Sequence, residues 1–308
     1  MVRVERDAVT GAFSYTGKYI ARQLVASGRQ VITLTNHPDR ESELANQVQA
    51  FPYHFEDPQE LIENLKGIDT LYNTYWVRFP YREMTFDQAV ANTRTLAECS
   101  RQAGVRRIVH ISVSNPSLES RLPYFRGKAL AEEVIRGSGL SYAILRPTLI
   151  FALEDILINN IAYLLRGYPF FPVPGSGDYS LQPIFAGDVA ELAVAAGEGS
   201  ANLLQDARGA EIYTFEELVR AIARQTGSKS RIVHLPARAA LWLSQIVGLL
   251  VRDVVLTHDE LAGLMAGLLV SQQPPTGSTA FSTWLAENVA QLGRHYASEL
   301  ERHYRSMP

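Results

Sequence analysis

A tyrosine and a lysine stand four residues apart in Tyr124-Phe-Arg-Gly-Lys128, after a predicted strand end that carries Ser112 and Ser114. In a helix, two residues at this spacing share one face. A tyrosine hydroxyl titrates near pH 10, but a neighbouring ammonium lowers its pKa by stabilising the phenolate. A serine hydroxyl can bind the substrate oxygen. These residue types suit proton transfer at a carbonyl or an alcohol.

The segment Val9-Thr-Gly-Ala-Phe-Ser-Tyr-Thr-Gly17 lies where a first strand would turn into a first helix. Its small residues follow the spacing G-x-x-G-x-x-G, with a serine in the middle position. Backbone N–H groups of such a turn face an anion, and the helix N-terminus adds about half a positive charge. We therefore predict that the turn binds the pyrophosphate of a nicotinamide dinucleotide. The predicted contacts are Gly11, Phe13, Ser14, Tyr15 and Gly17.

The residues after the second predicted strand indicate which dinucleotide is preferred. An acidic residue there would bind the ribose hydroxyls of NAD and repel a 2′-phosphate. The chain instead has Asn36, His37 and Arg40. Asn36 offers hydrogen-bond donors and Arg40 can bind a phosphate, with Arg22 as a candidate second cation. We expect NADP as the cofactor, with NADPH preferred over NADH.

Composition limits the class of protein. The 308 residues are 46% apolar and 20% charged, as is typical of a globular chain. The net charge of −3, without a long basic run, gives no electrostatic case for nucleic-acid binding. Cys99 is the only cysteine, which excludes an internal disulfide. The charged start, Met1 to Asp7, shows no secretory signal, so we expect a cytoplasmic protein.

Three other kinds of site are excluded by spacing. Five residues separate Gly11 from Gly17 and Tyr19 follows Lys18, whereas a P-loop needs four residues and then a serine or threonine. No G-x-S-x-G elbow of an α/β-hydrolase is present. The seven histidines form no H-x-x-x-H pair, so we expect no metal site.

The first half of the chain alternates strand and helix patterns. The predicted strands are 8–10, 31–35, 49–54, 70–75, 107–112 and 141–146, and the predicted helices are 17–27, 58–65, 85–102 and 128–137. Repeated β-α-β alternation indicates an α/β fold of the Rossmann type, a doubly wound parallel sheet with helices on both faces. Ligands of such sheets bind beyond the carboxyl ends of the strands.

The pattern changes after Pro147. Residues 168–178 are rich in turn formers and predict a loop, Asp188 is expected to cap a helix to about Ala196, and Thr214 begins a capping box. Three further helices are predicted at 239–251, 259–269 and 282 to about 303. The tract 239–251 is too short to span a bilayer, and we interpret it as a core or interface helix, with a membrane surface as the alternative.

Several of these features together resemble the extended and atypical short-chain dehydrogenase/reductases. They are the glycine turn, Asn92 in a long helix, Ser114, the Tyr124/Lys128 pair and Leu145-Arg-Pro-Thr148. Within that superfamily the chain is most similar to the NmrA-like group and to the nucleotide-binding accessory subunit of respiratory complex I. The segment 183–190 looks like the family's entry into its second domain, so the resemblance covers nearly the whole chain.

The resemblance implies roles for the nucleotide-binding residues. Gly11, Ser14 and Gly17 would cradle the pyrophosphate, and Asp57 would approach the adenine. Thr74 and Tyr75, after the fourth predicted strand, would line the nicotinamide ribose. The motifs are specific for the fold and the class of cofactor, and much less so for the substrate.

The resemblance also implies the catalytic roles. Tyr124 would be the acid/base, and Lys128 would bind the ribose and tune Tyr124. Ser114 would orient the substrate. Asn92 would position the lysine or a water, or else would satisfy a bend in its helix. The chain also has a cluster of aromatic residues, Tyr72, Tyr75, Trp76, Phe79 and Tyr81. They could line a substrate pocket, or they could equally pack in the core.

Two departures from the family pattern keep a second interpretation open. Ser14 stands where the family usually has glycine, and the segment from Ser114 to Tyr124 is short, as in the atypical branch. We expect residues 1–150, with about 183–200 returning to them, to form the NAD(P)-binding domain, and 151–308 to form a smaller, mostly helical substrate domain. The predicted function is an NAD(P)(H)-dependent oxidoreductase or an epimerase/dehydratase acting on an unknown small molecule. The alternative is a non-catalytic NADPH-binding structural or redox-sensing module, which contacts a membrane surface or a protein assembly through its C-terminal helices.

Overall fold

The structure is a computed structural model that describes residues 5–304. These residues contain thirteen β-strands and eleven α-helices, joined by turns and loops. The first four residues of the charged start, discussed above, lie outside this range. The strands are β1 (Arg6–Thr10), β2 (Gln30–Leu34), β3 (Val48–Phe51), β4 (Thr70–Asn73), β5 (Arg107–Ile111), β6 (Ser141–Pro147), β7 (Leu149–Phe151), β8 (Phe170–Pro174), β9 (Ser180–Leu181), β10 (Pro183–Phe185), β11 (Leu203–Ala207), β12 (Tyr213–Thr214) and β13 (Arg231–Leu235). The helices are α1 (Tyr15–Ala26), α2 (Pro58–Leu65), α3 (Phe86–Ala103), α4 (Pro123–Arg136), α5 (Ile156–Gly167), α6 (Ala186–Glu198), α7 (Phe215–Thr226), α8 (Ala237–Val251), α9 (His258–Met265), α10 (Phe281–Asn288) and α11 (Glu299–His303).

Seven strands form one parallel sheet in the order β3-β2-β1-β4-β5-β6-β11. Strand β1 pairs with β2 on one side and with β4 on the other, so the strand order reverses beside β1. In open parallel sheets the ligand crevice lies at this reversal, past the carboxyl ends of the strands. The predicted Rossmann-type α/β fold is confirmed.

Local sequence determines where the elements begin and end. All five residues of β5 are buried, as is typical of a central parallel strand covered on both faces. Helix α3 begins where Thr85 accepts a 3.1 Å hydrogen bond from the N–H of Gln88, and it ends at Gly104, whose φ is +80°. A left-handed glycine after the last turn stops the helix and directs the chain into β5.

The chain divides into two compact units. Unit 1 comprises residues 1–147 and 186–207 and contains the parallel sheet. Within it, α6 packs on α1, and Gln23 Nε2 donates a 3.1 Å hydrogen bond to the carbonyl of Gly187. Unit 2 comprises residues 148–185 and 208–308, with three two-stranded pairs, β7/β10, β8/β13 and β9/β12. Its own core includes Phe151 and Trp284, whose ring centroids lie 4.9 Å apart.

The last predicted helix, 282 to about 303, was wrong as a single element. The chain forms α10 and then α11, with a turn between them at Gly293, whose φ is +67°. A Cβ on Gly293 would lie 2.5 Å from the carbonyl carbon of Ala162, so the turn passes directly over the backbone of α5. Helix α10 ends at Asn288, and residues 289–293 form the turn through which the predicted helix wrongly continued.

Three smaller predictions also need correction, and the last strand of the sheet was missed. Helix α4 begins at Pro123 and not at Lys128, because a proline at the first helical position loses no hydrogen bond. Asp188 lies within the first turn of α6, which starts at Ala186 directly after β10, and therefore does not cap it. The predicted loop 168–178 contains β8, which pairs with β13. The edge strand β11 was not predicted, because its polar residues conceal the strand pattern.

Candidate nucleotide-binding and catalytic site

The glycine turn joins the end of β1 to the start of α1, at the strand-order reversal. Gly11 has a φ of +67° and its N–H donates a 2.8 Å hydrogen bond to the carbonyl of Leu34 in β2. A Cβ on Gly17 would lie 2.4 Å from the Gly11 carbonyl oxygen. Only glycine at position 17 therefore lets α1 approach the strand end this closely, with its N-terminus directed at the turn. This cradle fits a pyrophosphate.

Ser14 is the N-cap residue of α1, but its side chain makes no capping hydrogen bond. Its backbone is extended, with φ −111° and ψ −166°, and its N–H donates a 2.8 Å hydrogen bond to the Gly11 carbonyl. The serine therefore does not use its hydroxyl for the helix that it begins. Phe13 is buried, whereas Tyr15 is half-buried.

The end of β4 is tied to the end of β1. Thr74 donates its N–H to Thr10 Oγ1 and its hydroxyl to the Thr10 carbonyl, both at 2.6 Å. Next to it, the Tyr75 hydroxyl accepts a 2.7 Å hydrogen bond from Asn92 Nδ2, and Asn92 Oδ1 accepts one of 2.9 Å from Gln88. Burial raises the pKa of Tyr75. The Asn92 amide thus fixes Tyr75 against α3, and within residues 5–304 it makes no hydrogen bond to Lys128.

Tyr124 and Lys128 both lie in α4, one turn apart. The half-buried Tyr124 ring stands edge-on to Trp76 and Phe86, with centroid separations of 6.3 and 5.9 Å. Lys128 is only 3% exposed. Its ammonium donates a 2.9 Å hydrogen bond to the Ile111 carbonyl and lies 4.7 Å from the centre of the Trp76 ring. Burial lowers the pKa of Lys128 to about 7, and the charge of Glu132 opposes this shift.

One turn further along α4, the buried Glu132 forms an ion pair with the half-buried Arg146. Glu132 accepts hydrogen bonds from Ser112 Oγ at 2.6 Å and from Arg146 at 2.9 and 2.5 Å. The Ser112 hydroxyl is thus hydrogen-bonded in the protein interior. Ser114 is also buried, and its backbone N–H donates a hydrogen bond to the Pro147 carbonyl. Sequence reasoning missed Glu132. The available signal was its position four residues after Lys128, on the same helix face.

His110 was also missed. It is fully buried in β5, and its Nδ1 lies 3.1 Å from Asn73 Nδ2. Burial, and secondarily the charge of Lys128, holds its pKa well below the usual value, so the imidazole is neutral near pH 7. Lys128 therefore lies between a neutral histidine and a carboxylate that is already paired.

The segment after β2 carries the predicted selectivity residues. Asn36 is exposed, and His37 and Arg40 are half-buried. The turn is fixed by a 3.1 Å bond from the His37 N–H to Thr35 Oγ1. Arg22, the candidate second cation, forms an ion pair with Glu43.

Two other sets of predicted residues have structural roles. Asp57 is exposed and caps α2, because its carboxylate accepts a 3.3 Å hydrogen bond from the N–H of Glu60. In the predicted aromatic wall, Tyr72 is fully buried in β4, and Tyr75 packs with Tyr53 at a centroid distance of 5.1 Å. Trp76 contacts Tyr124 edge-on, at a centroid distance of 6.3 Å. No group of three or more metal-ligating residues occurs between residues 5 and 304.

Comparison with known proteins gives the same answer for the cofactor class. The sequence model of a family described as NAD(P)H-binding matches residues 11–155. Subunit 9 of the NADH dehydrogenase (ubiquinone) 1 alpha subcomplex of Arabidopsis thaliana is 26% identical over 246 residues, covering 74% of this chain and 60% of the subunit. The match thus spans less than two thirds of that relative's length.

Two solved structures share the fold. The triphenylmethane reductase of Citrobacter sp., complexed with NADP(H), has a TM-score of 0.75 at 19% identity, covering 94% of this chain and 99% of that one. An NADPH-dependent quinone oxidoreductase of Escherichia coli, complexed with NADPH, has a TM-score of 0.71 at 22% identity, covering 92% and 98%. With its parallel sheet and its glycine turn, the part of the chain at residues 11–155 is an NAD(P)H-binding domain, and the chain is similar to the dehydrogenase subunit and, in fold, to the two reductases named above.

Proposed function

We propose that the protein is an NADP(H)-dependent reductase of a carbonyl or quinone acceptor with an aromatic, weakly polar body. One observation carries the proposal: Tyr124 and Lys128 share a face of α4, and the Tyr124 ring is flanked edge-on by Trp76 and Phe86. Aromatic side chains favour flat apolar ligands, whereas a nucleotide sugar needs many polar partners. An epimerase or dehydratase of nucleotide sugars is therefore the less favoured enzyme.

The residues of the chain supply binding and proton transfer. The turn from Gly11 to Gly17 holds the pyrophosphate, and Arg40 binds the 2′-phosphate that distinguishes NADP from NAD. When bound, the reduced nicotinamide supplies the hydride. The Tyr124 hydroxyl gives its proton to the acceptor oxygen, and the positive charge of Lys128 stabilises the phenolate that remains.

The names of the two compared structures point the same way, since one is a triphenylmethane reductase and the other a quinone oxidoreductase. At 19% and 22% identity these likenesses show the fold alone, so the argument for an aromatic acceptor depends on Trp76, Phe86 and Tyr124 of this chain.

A second candidate function is a nucleotide-binding module without turnover. It is favoured by the hydrogen bonds of polar side chains at this site, because these side chains bind other groups of the protein instead of facing a substrate. Asn92 binds Tyr75, Ser112 binds Glu132, and Lys128 binds the Ile111 carbonyl. The curated relative, a subunit of an NADH dehydrogenase, matches over only part of its length and leaves this alternative as a proposal.

The test combines binding with turnover. NADPH and NADH are titrated by fluorescence, and we expect Arg40→Gln to weaken NADPH about tenfold while leaving NADH unchanged. NADPH oxidation is then followed with quinones, aromatic aldehydes and ketones, and nucleotide sugars. We expect turnover with a quinone or an aromatic carbonyl compound.

Two conservative variants separate the candidates. Tyr124→Phe should lower turnover by about 100-fold or more while the NADPH dissociation constant stays within about twofold. Tyr142→Phe, at the opposite end of the sheet strands, is the matched control and should keep full activity. Tight NADPH binding with no turnover on any acceptor would establish the module, and unchanged turnover in Tyr124→Phe would remove Tyr124 from the mechanism.

A further inference from the structure

Helix α8 exposes large apolar side chains. Of its fifteen residues only Ala240 and Gly248 are buried. Trp242 is 65% exposed, Leu249 81% and Leu250 79%. A helix on the surface of a globular protein normally places polar residues outward, so this composition indicates a face that is covered when the protein functions.

Four of the exposed residues of α8 form one stripe, and Leu250 lies beside it. Arg238, Trp242, Gln245 and Leu249 are all exposed, and they are separated by four, three and four positions. Such spacing places side chains on the same side of a helix. The outward face of α8 therefore presents a cation at its start, followed by Trp242 and Leu249 with the polar Gln245 between them.

The sequence segment 228–252, which includes α8, carries charge of a single sign. Residues 228–252 contain four lysines and arginines and no aspartate or glutamate, in a chain whose net charge is −3. All four cations are exposed, and they are Lys229, Arg231, Arg238 and Arg252. This distribution is complementary to a negatively charged surface.

The combination of residue types matches a lipid surface better than a protein partner. Tryptophan is enriched where hydrocarbon meets the lipid headgroups. Arginine can bury its methylene stem among apolar groups while its guanidinium reaches a phosphate. At a protein interface the cations would instead need carboxylates on the partner to offset their desolvation.

The length of α8 decides how it would bind. Fifteen residues extend about 22 Å, which is short of a hydrocarbon core of about 30 Å. Within residues 5–304, no helix has the length and apolar character needed to cross a bilayer. A short helix with one apolar, cation-flanked face instead lies in the plane of the interface.

We propose that α8 is an interfacial helix that places its Arg238–Trp242–Gln245–Leu249 face on an anionic lipid surface. The reductase chemistry proposed above neither requires this contact nor is required by it. A membrane-bound position does bring the protein to apolar acceptors that dissolve in lipid.

The experiment uses the full chain and lipid vesicles. Sedimentation with vesicles of phosphatidylglycerol and phosphatidylcholine should carry the protein down, and vesicles of phosphatidylcholine alone should carry much less. The double substitution Leu249→Ser with Leu250→Ser should lower the partition coefficient about tenfold or more. Ile212→Ser is the matched control, because Ile212 is also an exposed apolar residue (54%) and lies outside α8.

Charge is tested separately with Lys229→Gln and Arg238→Gln. Each removed cation should lower binding to the anionic vesicles about fivefold, so about 25-fold for both, with little effect on neutral vesicles. Tryptophan fluorescence gives an independent signal: anionic vesicles should shift the wild-type emission to shorter wavelength, and Trp242→Phe should abolish the shift.

Three results would overturn the proposal. One is equal binding of wild type to anionic and neutral vesicles. Another is binding of the Leu249→Ser, Leu250→Ser variant to anionic vesicles as strongly as wild type. The third combines two observations: wild type binds no vesicles, and it forms a dimer in solution that Leu249→Ser with Leu250→Ser converts to a monomer. This result would assign the face to a second copy of the chain.

Discussion

The Lys128 ammonium lies 4.7 Å from the centroid of the Trp76 ring, inside the protein, and no carboxylate among residues 5–304 forms an ion pair with it. The nearest acid along α4, Glu132, is already paired with Arg146. An aromatic face and a backbone carbonyl compensate only part of the cost of burying a cation. This explains why the pKa of Lys128 falls to about 7.

Removing this cation should stabilise the protein near neutral pH. The folded-state pKa is about 7 and the unfolded value about 10.5, so between these pH values the unfolded chain binds more protons. The free energy of unfolding therefore rises with pH across this window, and the penalty is fully present below pH 7. We expect Lys128→Met to be about 1–3 kcal/mol more stable than wild type at pH 7, with a smaller advantage at pH 9.

Urea unfolding at pH 6, 7, 8 and 9 measures this difference. The free energy of unfolding of wild type is subtracted from that of the variant at each pH. This cancels the pH dependence contributed by the buried tyrosines and Cys99, whose pKa values are also raised. A difference that does not change with pH would show that Lys128 titrates normally. The same variant should lose NADPH affinity if the lysine binds the ribose.

Glu132 should contribute strongly to the free energy of unfolding, and its neighbour Glu133 should contribute little. Glu132→Gln leaves the half-buried Arg146 guanidinium beside a neutral group and removes a carboxylate that accepts three hydrogen bonds, which should cost about 1–3 kcal/mol. Glu133→Gln is the control one residue along. Its carboxylate is exposed and makes only a 3.5 Å pair with Arg136, so the change should stay within about 0.5 kcal/mol. Chemical denaturation of both variants checks this, and similar losses would contradict the assigned network.

The sequence was sufficient to predict the sheet and the glycine turn. Central strands such as β5 contain β-branched apolar residues, here Ile108, Val109 and Ile111, and the glycine turn lies between a predicted strand and a predicted helix. The Glu132 network was not predictable in this way. Its partners, Ser112 after β5 and Arg146 in β6, are brought to α4 only by the pairing of those two strands. Pairing of distant segments leaves no periodic signal in a single chain.

The same reasoning explains the missed strands and the broken tail helix. Strand β11 contains Gln205 and Asp206 and is buried only in part, as expected at a sheet edge. Its strand character comes from pairing with β6 and not from its own composition. The α10–α11 turn depends on the approach of Gly293 to α5, which is a contact between distant segments.

Gly17→Ala should disrupt the cradle. Its Cβ would lie 2.4 Å from the Gly11 carbonyl oxygen and 2.8 Å from that of Thr10, and both are backbone atoms that cannot rotate away. We expect a loss of about 2–3 kcal/mol in stability and at least tenfold in NADPH affinity. Gly167→Ala, at the end of α5 with no atom within 4 Å of the added carbon, is the control. It should be neutral or stabilising by up to about 1 kcal/mol, as thermal unfolding would show.

Ser14 distinguishes a capping role from a ligand role. Because its hydroxyl makes no capping bond to α1, Ser14→Ala should change stability by less than about 0.5 kcal/mol. Thr85→Ala is the contrast, since Thr85 accepts the Gln88 N–H at 3.1 Å, and its loss should cost about 1 kcal/mol. If the Ser14 hydroxyl donates to phosphate, Ser14→Ala should also weaken NADPH about fivefold to tenfold. Calorimetric unfolding combined with fluorescence titration measures both effects, and unchanged NADPH affinity in Ser14→Ala would mean that backbone amides alone bind the pyrophosphate.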